Sequence, residues 1–437
     1  MTSALRKAAT SLLLIVLVAI AARTAFAIYE IKQFPPRILN IVPFQTETGH
    51  IAYSIAAGKG FSSPFQRDTG ATAWVAPVYP YLLAGIFKVF GVYTLGAFYA
   101  ALLLNIFFSA CACIPLFYSG KRIAGAGVAS VAGWAWALFP NAILIPFEWI
   151  WDTCLSVLLL TLLLSATLAL AEKSRARDWC GYGLLWGIAL LTNPALALPL
   201  PFLLLWFAYR SSAITSAHRF LRPALAAAIA IFCCVPWTIR NYIQFHHFVP
   251  LRSNFAFELY VGNNENYDDA NRGRPAVVTQ DREIVRYLRI GETAFLQEEM
   301  QKAAAFIWTH PRTEISLIAN RFVDFWFGSA RPLQTFRQAD SAWIQGILLC
   351  NDLAPLFMLA GIAAIIVRKN RYAFPVVILP IVFPLTYYVT HTSLRYRHPI
   401  DPVVLLLCAI ALHEGWAWRE RILRGTPTVA PRDGQYK

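Results

Sequence analysis

The amino-acid sequence predicts an all-α polytopic membrane protein with about ten transmembrane helices, outer juxtamembrane helices and a small, mostly helical outer cap. The first observation behind this fold class is composition: 57% of the 437 residues are hydrophobic and 14% are charged, whereas soluble domains carry about 25% charged residues. The second is a series of apolar runs that reach the ~20 residues needed to cross a bilayer. The third is the position of the basic residues, which cluster in short segments between these runs.

Charge and cysteine usage exclude two other classes of protein. The formal net charge of +14 would favour a nucleic-acid partner in a soluble protein, but here the basic residues lie mainly in short loops that set orientation in the membrane. We therefore expect membrane lipids and no nucleic acid around this chain. All eight cysteines fall in apolar runs, where we expect small core residues rather than metal ligands or disulfide partners.

The apolar runs together predict ten spans. The region 179–209 contains two shorter runs that are separated at Asn193-Pro194, and eight runs are longer. The longer runs lie near residues 9–29, 95–118, 122–140, 149–171, 222–240, 341–367, 372–390 and 398–418.

The run at 76–92 is shorter, and Pro77 and Pro80 interrupt it. If it crossed the membrane, the basic pair Lys121-Arg122 would face outside and the later loops would alternate against the positive-inside rule. If it lies in the outer interface instead, the basic clusters all fall on the cytoplasmic side. We therefore predict a re-entrant or juxtamembrane helix at 76–92, with both chain termini in the cytoplasm.

This topology divides the chain into four parts. Residues 1–240 are predicted to form an N-terminal transmembrane module that includes a first outer loop at 30–94. Residues 241–340 are predicted to form an outer (periplasmic) loop domain, because their charge is nearly balanced and their helix signals are ordinary. Residues 341–418 form the C-terminal transmembrane helices, and residues 419–437 form a cytoplasmic tail that ends in a polar, disordered segment.

Glu47, His50 and Tyr53 form the first candidate group, just outside the first span. In a helix over 47–58, their i, i+3 and i+6 spacing would place the three side chains on roughly one side. The Glu47 carboxylate would then act as a general base on an acceptor hydroxyl, or hold a divalent cation. The alternative interpretation is a helix N-cap or a solvated acid at the membrane interface.

Glu148 and Asp152 form the second group, at the outer end of the fourth span. Their i, i+4 spacing predicts that both acids share one helical face, where they would bind a cation or a sugar. The alternative interpretation is that this segment lies at the membrane interface without a binding role, because its residues Trp149 and Trp151 are typical of an interfacial aromatic belt.

Arg395, Tyr396 and Arg397 form the third group, a basic cluster on the outer side and therefore against the positive-inside trend. Two guanidinium groups suit bidentate capture of a phosphate, and Tyr396 would stack on a sugar or an isoprenoid. Arg240, at the end of the seventh span, would add to this phosphate site. The alternative is an arginine pair that anchors to anionic lipid headgroups.

The order of these features resembles the GT-C superfamily of membrane glycosyltransferases over about residues 10–415. The resemblance is to bacterial relatives of the protein O-mannosyltransferases and of aminoarabinose transferase, of the glycosyltransferase family 39/83 type. Glu47 with the segment 51–61 looks like the acidic first outer loop of those enzymes. The segment 77–84 is similar to their juxtamembrane proline-tyrosine helix, which adds Tyr79 to the substrate-binding candidates.

Further along the chain, four other segments look like elements of the same enzymes. These are Gly187-Ile-Ala-Leu-Leu-Thr-Asn-Pro194, Pro236-Trp-Thr-Ile-Arg-Asn-Tyr242, Leu259-Tyr-Val-Gly-Asn-Asn264 and Arg395-Tyr-Arg-His-Pro-Ile-Asp-Pro402. The sequence also departs from the pattern at two places. Glu47 stands without a neighbouring acid where an aspartate is common, and Asn193 replaces the usual basic residue before Pro194.

The resemblance implies an enzyme that transfers a hexosyl or pentosyl group from a polyprenyl-phosphate donor to a lipid, glycan or protein acceptor. The reaction would take place at the outer face of a bacterial inner membrane, with a divalent cation as the one candidate cofactor. Arg395, Arg397 and Arg240 would hold the donor phosphate and Glu47 would deprotonate or orient the acceptor. Asp152 or Glu148 would position sugar hydroxyls or the cation.

Two other functions stay open on the sequence. A non-enzymatic transporter or flippase of lipid-linked glycans would carry polar residues at mid-membrane together with an internal repeat. A glycan polymerase or ligase would share the phosphate site but would need a longer acceptor groove.

Overall fold

The computed structural model describes residues 11–172, 175–210, 219–265, 281–329, 331–339 and 341–423. The predicted fold class is confirmed, because these residues form helices, and the β-pairing among them is an isolated bridge between Ser62 and Ala71. The start of the chain and the predicted disordered segment at 425–437 lie outside the described residues.

The helices of the N-terminal half are α1 (Leu12–Gln33), α2 (Pro36–Leu39), α3 (Glu47–Ala56), α4 (Val78–Phe90), α5 (Leu95–Cys111), α6 (Cys113–Leu138), α7 (Pro140–Glu148), α8 (Thr153–Leu170), α9 (Ala176–Thr192) and α10 (Leu200–Arg210). Those of the C-terminal half are α11 (Leu221–Phe245), α12 (Phe255–Gly262), α13 (Asp281–Thr309), α14 (Pro311–Phe327), α15 (Pro332–Gln338), α16 (Ala342–Val367), α17 (Ala373–Val382), α18 (Leu385–Val389), α19 (Leu394–Arg397) and α20 (Asp401–Leu423).

Six helical segments within the described residues are long and apolar enough to cross a membrane, and α5 and α6 together form the longest of them. Three further apolar helices, at Val78–Phe90, Pro194–Tyr209 and Ala373–Val389, are shorter. Helix α6 breaks at Ala124 and Gly125, where Gly125 has a φ of +85°, a conformation that glycine adopts without steric cost. This break falls beside the predicted loop at Lys121-Arg122, while the total of ten spans stays a prediction.

Helix α4 covers the segment predicted not to cross the membrane. Its 13 residues measure about 20 Å, less than the ~30 Å of a hydrocarbon core. It ends at Gly91, where a φ of +88° turns the chain toward α5. The short length agrees with a juxtamembrane helix, and α4 packs against α3 and α5.

Arg23 lies within the first span and is 1% exposed, a buried charge that the sequence analysis did not single out. Its guanidinium donates to Ser109 Oγ at 2.9 Å and to the carbonyl oxygens of Trp136 and Ala137 at 3.2 and 3.1 Å. These carbonyls belong to the last turn of α6, which has no further helical N–H groups to bind. Arg23 therefore connects α1, α5 and α6, because its guanidinium donates hydrogen bonds to the unpaired carbonyl groups at the end of α6.

The predicted outer cap is helical where it is described, and it packs on the first loop. Glu292 in α13 is 6% exposed, and its carboxylate accepts hydrogen bonds from the Thr72 hydroxyl at 2.5 Å and from the Ala73 N–H at 2.9 Å. The hydroxyl groups of Ser253 and Tyr287 donate to the same carboxylate, each at 2.7 Å. One buried anion thus fixes the first loop to the cap.

Candidate active site

A cavity opens where the first loop, the start of α8, the cap and the segment before α20 meet. Together with the open space at its mouth, the cavity encloses about 880 Å³. The side chains in its wall that carry charge or hydrogen-bonding groups are those of Thr48, Tyr79, Trp151, Asp152, Thr153, Thr192, Asn193, Arg252, Asn254, Glu258, Thr386, Tyr387, Thr390, His391, Arg395 and Tyr396.

Arg395 lines this cavity and is held by aromatic rings. Its guanidinium carbon lies 4.2 Å from the ring centre of Trp149 and 5.0 Å from that of Trp151. One guanidinium nitrogen donates to Tyr396 Oη at 3.2 Å. Cation–π contacts stabilise the charge without using the N–H donors in the guanidinium plane. Arg395 is therefore a fixed cation that can still bind an anion.

Asp152 lines the same cavity just before the first residue of α8. Burial raises the pKa of its carboxyl from 3.8 to about 6, although the cations Arg252 and Arg395 act in the opposite direction. The Ser156 hydroxyl donates to Asp152 Oδ2 at 3.4 Å. A carboxyl group with a pKa near neutrality is suited to proton transfer or to orienting hydroxyl groups.

Glu47 is the first residue of α3, and its neighbour Thr48 lines the cavity. The Thr46 side chain accepts a hydrogen bond from the Gly49 N–H at 3.2 Å, so that Thr46 rather than Glu47 is the N-cap. Glu47 and Asp152 both interact electrostatically with Arg395. The structure thus brings together Glu47, Asp152 and Arg395 from three separate parts of the sequence.

The spacing of Glu148 and Asp152 predicted a shared helical face, and that prediction is wrong. Helix α7 ends at Glu148, Trp149 is extended with φ −132° and ψ 100°, and α8 begins only at Thr153. The two acids therefore belong to different helices. Asp152 lines the cavity and Glu148 does not, because the chain turns between them.

His50 and Tyr53 do not face this cavity. They line a second, more open pocket on the other side of α3, together with Lys59, Arg67 and Asp68. Tyr53 stacks on Tyr93 with 5.8 Å between ring centres. Burial lowers the pKa of His50, which favours the neutral imidazole. Helix α3 is therefore a wall between two pockets, with Glu47 at its first turn.

Tyr79 and Tyr396 both contribute to the wall of the first cavity. Tyr79 is buried, and its hydroxyl donates to Asn105 Oδ1 at 2.8 Å. The hydroxyl hydrogen of Tyr79 is therefore directed into the helix bundle. Tyr396 stacks on Tyr387 with 4.9 Å between ring centres and an interplanar angle of 11°. Its hydroxyl also lies 3.0 Å from His391 Nε2.

Arg240 and Arg397 lie away from the cavity and hold other parts of the chain. Arg240 donates to the carbonyl oxygens of Thr72 at 2.6 Å and Phe61 at 2.7 Å, so that it supports the first loop from α11. Arg397 is fully buried and pairs with Asp401 at 2.8 Å. Its remaining donors reach Asn351 and the carbonyl oxygen of Trp326. The structure thus separates both residues from Arg395, with which the sequence analysis had grouped them.

A divalent cation is one of the ligands that the sequence predicts for these carboxylates. Among the described residues, no group of three or more histidine, cysteine, aspartate or glutamate side chains is close enough to hold a metal ion. Asp152 also lies under the influence of two arginines, which compete with a cation for its charge. The arrangement of side chains does not fit a tightly held metal at this place.

Arg252, Glu258 and His391 are cavity residues that the sequence did not indicate. Arg252 and Glu258 lie in the predicted cap, and His391 lies in the short segment before α19. None of them belongs to a spaced motif, and each acquires its place only because the cap folds over the membrane helices. The nearest signal was the segment 259–264, which follows Glu258 directly.

Three comparisons with known proteins bear on this site. A family model described as dolichyl-phosphate-mannose-protein mannosyltransferase matches residues 74–239, which is less than half of the chain. No curated protein matches the sequence.

Among solved structures, the archaeal oligosaccharyltransferase AglB from Archaeoglobus fulgidus, in complex with an inhibitory peptide and a dolichol-phosphate, is similar with a TM-score of 0.53 and 12% identity. The match covers 96% of this chain and 52% of AglB, so the chain spans about half the length of that protein. A second structure of the same organism's oligosaccharyltransferase, tethered with an acceptor peptide, is similar with a TM-score of 0.52 and 13% identity. This match covers 95% of this chain and 51% of the oligosaccharyltransferase chain.

ArnT from Cupriavidus metallidurans, bound to undecaprenyl phosphate, has a TM-score of 0.39 and 12% identity over 94% of this chain and 80% of ArnT, a score too low to argue from. At such identities the comparison with AglB shows the fold alone. That fold is the GT-C type, which confirms the predicted resemblance of this multi-pass membrane protein to the GT-C membrane glycosyltransferases.

Proposed function

We propose that this protein transfers a sugar from a polyprenyl-phosphate donor to an acceptor at the outer face of the membrane. The observation that carries the proposal is the cavity in which Arg395 and Arg252 lie beside the half-buried Asp152. Two cations fit a phosphate group, and a carboxylate beside them fits sugar hydroxyls. The match to a mannosyltransferase model and the GT-C fold support the same reaction class.

The donor phosphate binds to Arg395 and Arg252 in this proposal. Arg395 keeps its orientation through Trp149 and Trp151, so that little side-chain entropy is lost when the phosphate enters. The phosphate leaves the sugar as an anion, and the two arginines stabilise the charge that develops as the bond between the sugar C1 and the phosphate oxygen breaks. The AglB structure, which contains a dolichol-phosphate, supports a polyprenyl carrier.

Glu47 is the proposed general base. The acceptor hydroxyl attacks the sugar C1, its proton passes to the Glu47 carboxylate, and the C1–oxygen bond to the phosphate breaks. Asp152 binds sugar hydroxyls on the other side of Arg395. His50 and Tyr53 line the second pocket on the far side of α3, and we assign the acceptor to that side. The acceptor itself is a lipid, a glycan or a protein.

The test is mass spectrometry of the lipids that co-purify with the protein, with the wild type beside Arg395→Ala. We expect an enriched polyprenyl-phosphate sugar that is lost in the variant, because Arg395 is one of two cations that hold the phosphate. Arg368→Ala is a matched control. Arg368 is 51% exposed, pairs with Glu414 and does not line the cavity. Bulk phospholipid alone in all three samples would contradict a polyprenyl-phosphate donor.

The transporter hypothesis expects polar side chains in the membrane, and the bundle does contain some. Arg23, Arg397 and Asp401 are fully buried among the spans. Their hydrogen bonds, however, reach helix carbonyl groups, neighbouring buried side chains and one another. These contacts favour a structural role, and a glycosyl transfer assay with a polyprenyl-phosphate sugar would separate the two functions.

A further inference from the structure

A connected series of polar groups runs from the cap to Arg395. Arg395 Nη2 lies 3.2 Å from Tyr396 Oη, and Tyr396 Oη lies 3.0 Å from His391 Nε2. His391 Nδ1 lies 3.4 Å from Glu258 Oε2 in the cap. The Asn254 side chain donates to the other oxygen of Glu258 at 2.8 Å. A carboxylate of the cap is thereby connected to the proposed phosphate ligand.

The donor and acceptor roles in this series start from Arg395. An arginine guanidinium only donates, so Tyr396 Oη is the acceptor in its contact with Arg395. The hydroxyl of Tyr396 can still donate to His391 Nε2, and it does so in the tautomer whose imidazole hydrogen is on Nδ1. That hydrogen then faces the Glu258 carboxylate across 3.4 Å, an electrostatic contact that favours this tautomer.

The backbone around His391 is rigidly attached to the cap. Asn263 Nδ2 donates to the Val389 carbonyl oxygen at 2.8 Å, and Arg321 donates to the carbonyl oxygens of Tyr388 at 3.0 Å and Val389 at 3.2 Å. Gly262 lies so close to Thr390 that a Cβ atom there would be 1.7 Å from the Thr390 carbonyl oxygen. These contacts hold His391 opposite Glu258.

We propose that His391 and Glu258 are positioning residues that orient Tyr396 and Arg395 for the phosphate of the donor. The inference rests on the proposed function, because it concerns the phosphate site of that reaction. Among the described residues, Arg395 makes one hydrogen bond, which is to Tyr396. The other guanidinium nitrogens of Arg395 remain available to an anion. The cap thus contributes to substrate binding through side chains that do not touch the substrate.

The experiment is a titration of purified protein in detergent with undecaprenyl phosphate, the probe, followed by native mass spectrometry. We expect His391→Ala and Glu258→Gln to raise the Kd for undecaprenyl phosphate about tenfold, which is the loss of affinity typical of one oriented charge-assisted contact. His391→Gln should stay within about threefold of the wild type, because the amide oxygen can still accept from Tyr396. His413→Ala is the matched control, since His413 is exposed on α20.

Each result decides the inference. Wild-type affinity in both His391→Ala and Glu258→Gln overturns the positioning role while the donor site stands. An equal loss in His391→Ala and His391→Gln indicates packing and also overturns the hydrogen-bond role. If the wild type does not bind the probe, the donor site and its positioning residues fall together. If His391→Ala fails to fold, Glu258→Gln and Tyr396→Phe decide, and both are expected to lose affinity about tenfold.

Discussion

At the scale of single residues, Asp152 combines burial with two neighbouring cations. Its side chain lies at the start of α8, where it faces a cavity rather than the lipid. Burial disfavours the carboxylate form more strongly than Arg252 and Arg395 favour it, so the pKa rises to about 6. The charge of Asp152 is therefore set by pH within the range in which enzymes are assayed.

The transfer rate should depend on this pKa. Because the ionised form of Asp152 is the one proposed to bind sugar hydroxyls, we expect the rate to fall as the pH drops below about 6. Asp152→Asn should lower kcat about 100-fold and remove that acidic limb. Glu172→Gln should leave the profile unchanged, since Glu172 pairs with Arg122 and Arg371 and lines neither pocket. The measurement is a pH–rate profile from about pH 5 to 9. An acidic limb that persists in Asp152→Asn would assign the titration to another group.

The same scale explains why neighbours in sequence have different roles. Arg395 and Arg397 are two residues apart in α19, and a helix turns about 200° over two residues. Arg395 therefore faces the cavity while Arg397 points into the bundle, where it pairs with Asp401. A sequence cannot assign these faces, because both residues have the same charge and the same immediate surroundings.

At the scale of elements, the junction between α12 and the segment 388–392 decides the shape of the site. Arg321 is fully buried in α14 and its guanidinium donates to carbonyl groups of both partners, including Gly262 and Tyr388. Asn263 contributes a further hydrogen bond to Val389. This junction accounts physically for the segment Leu259-Tyr-Val-Gly-Asn-Asn264, which the sequence analysis identified by resemblance alone.

Gly262 is the residue on which this junction depends most directly. An added methyl group would lie 1.7 Å from the Thr390 carbonyl oxygen, so that α12 must move away from the membrane helices. We expect Gly262→Ala to destabilise the protein by about 1–3 kcal/mol and to reduce binding of the donor, because His391 follows Thr390. The measurement is the thermal unfolding midpoint in detergent together with the Kd for undecaprenyl phosphate.

Gly346→Ala provides the control for this substitution. Gly346 is also helical, in α16, and a Cβ atom added there would meet nothing within 4 Å, so alanine should be neutral or stabilise by up to about 1 kcal/mol. A Gly262→Ala variant as stable as Gly346→Ala would show that α12 adjusts without cost.

At the scale of the whole molecule, the predicted cytoplasmic and outer segments gather at separate places. Arg122 and Arg371, from two predicted cytoplasmic loops, both pair with Glu172 in a third. The first loop, the cap and the segment before α19 meet around the cavity instead. This segregation agrees with the alternation that the positive-inside rule predicted.

The orientation in the membrane remains a prediction and can be tested directly. In a variant whose eight cysteines are replaced by alanine, we introduce Asp68→Cys or Arg371→Cys, both at exposed positions. A membrane-impermeant maleimide should label Asp68→Cys in intact cells and Arg371→Cys only after permeabilisation. The reverse pattern would place the cavity on the cytoplasmic side.

The sequence by itself determined that this chain is a helical, multi-pass membrane protein. This feature follows from hydropathy, which sums over neighbouring residues. Tertiary structure decided which polar side chains meet. Arg240 and Arg397 bind other parts of the chain instead of lining the cavity, and a helix end separates Glu148 from Asp152. Arg252, Glu258 and His391 line the cavity. These positions depend on contacts between residues far apart in the chain, and no local pattern encodes them.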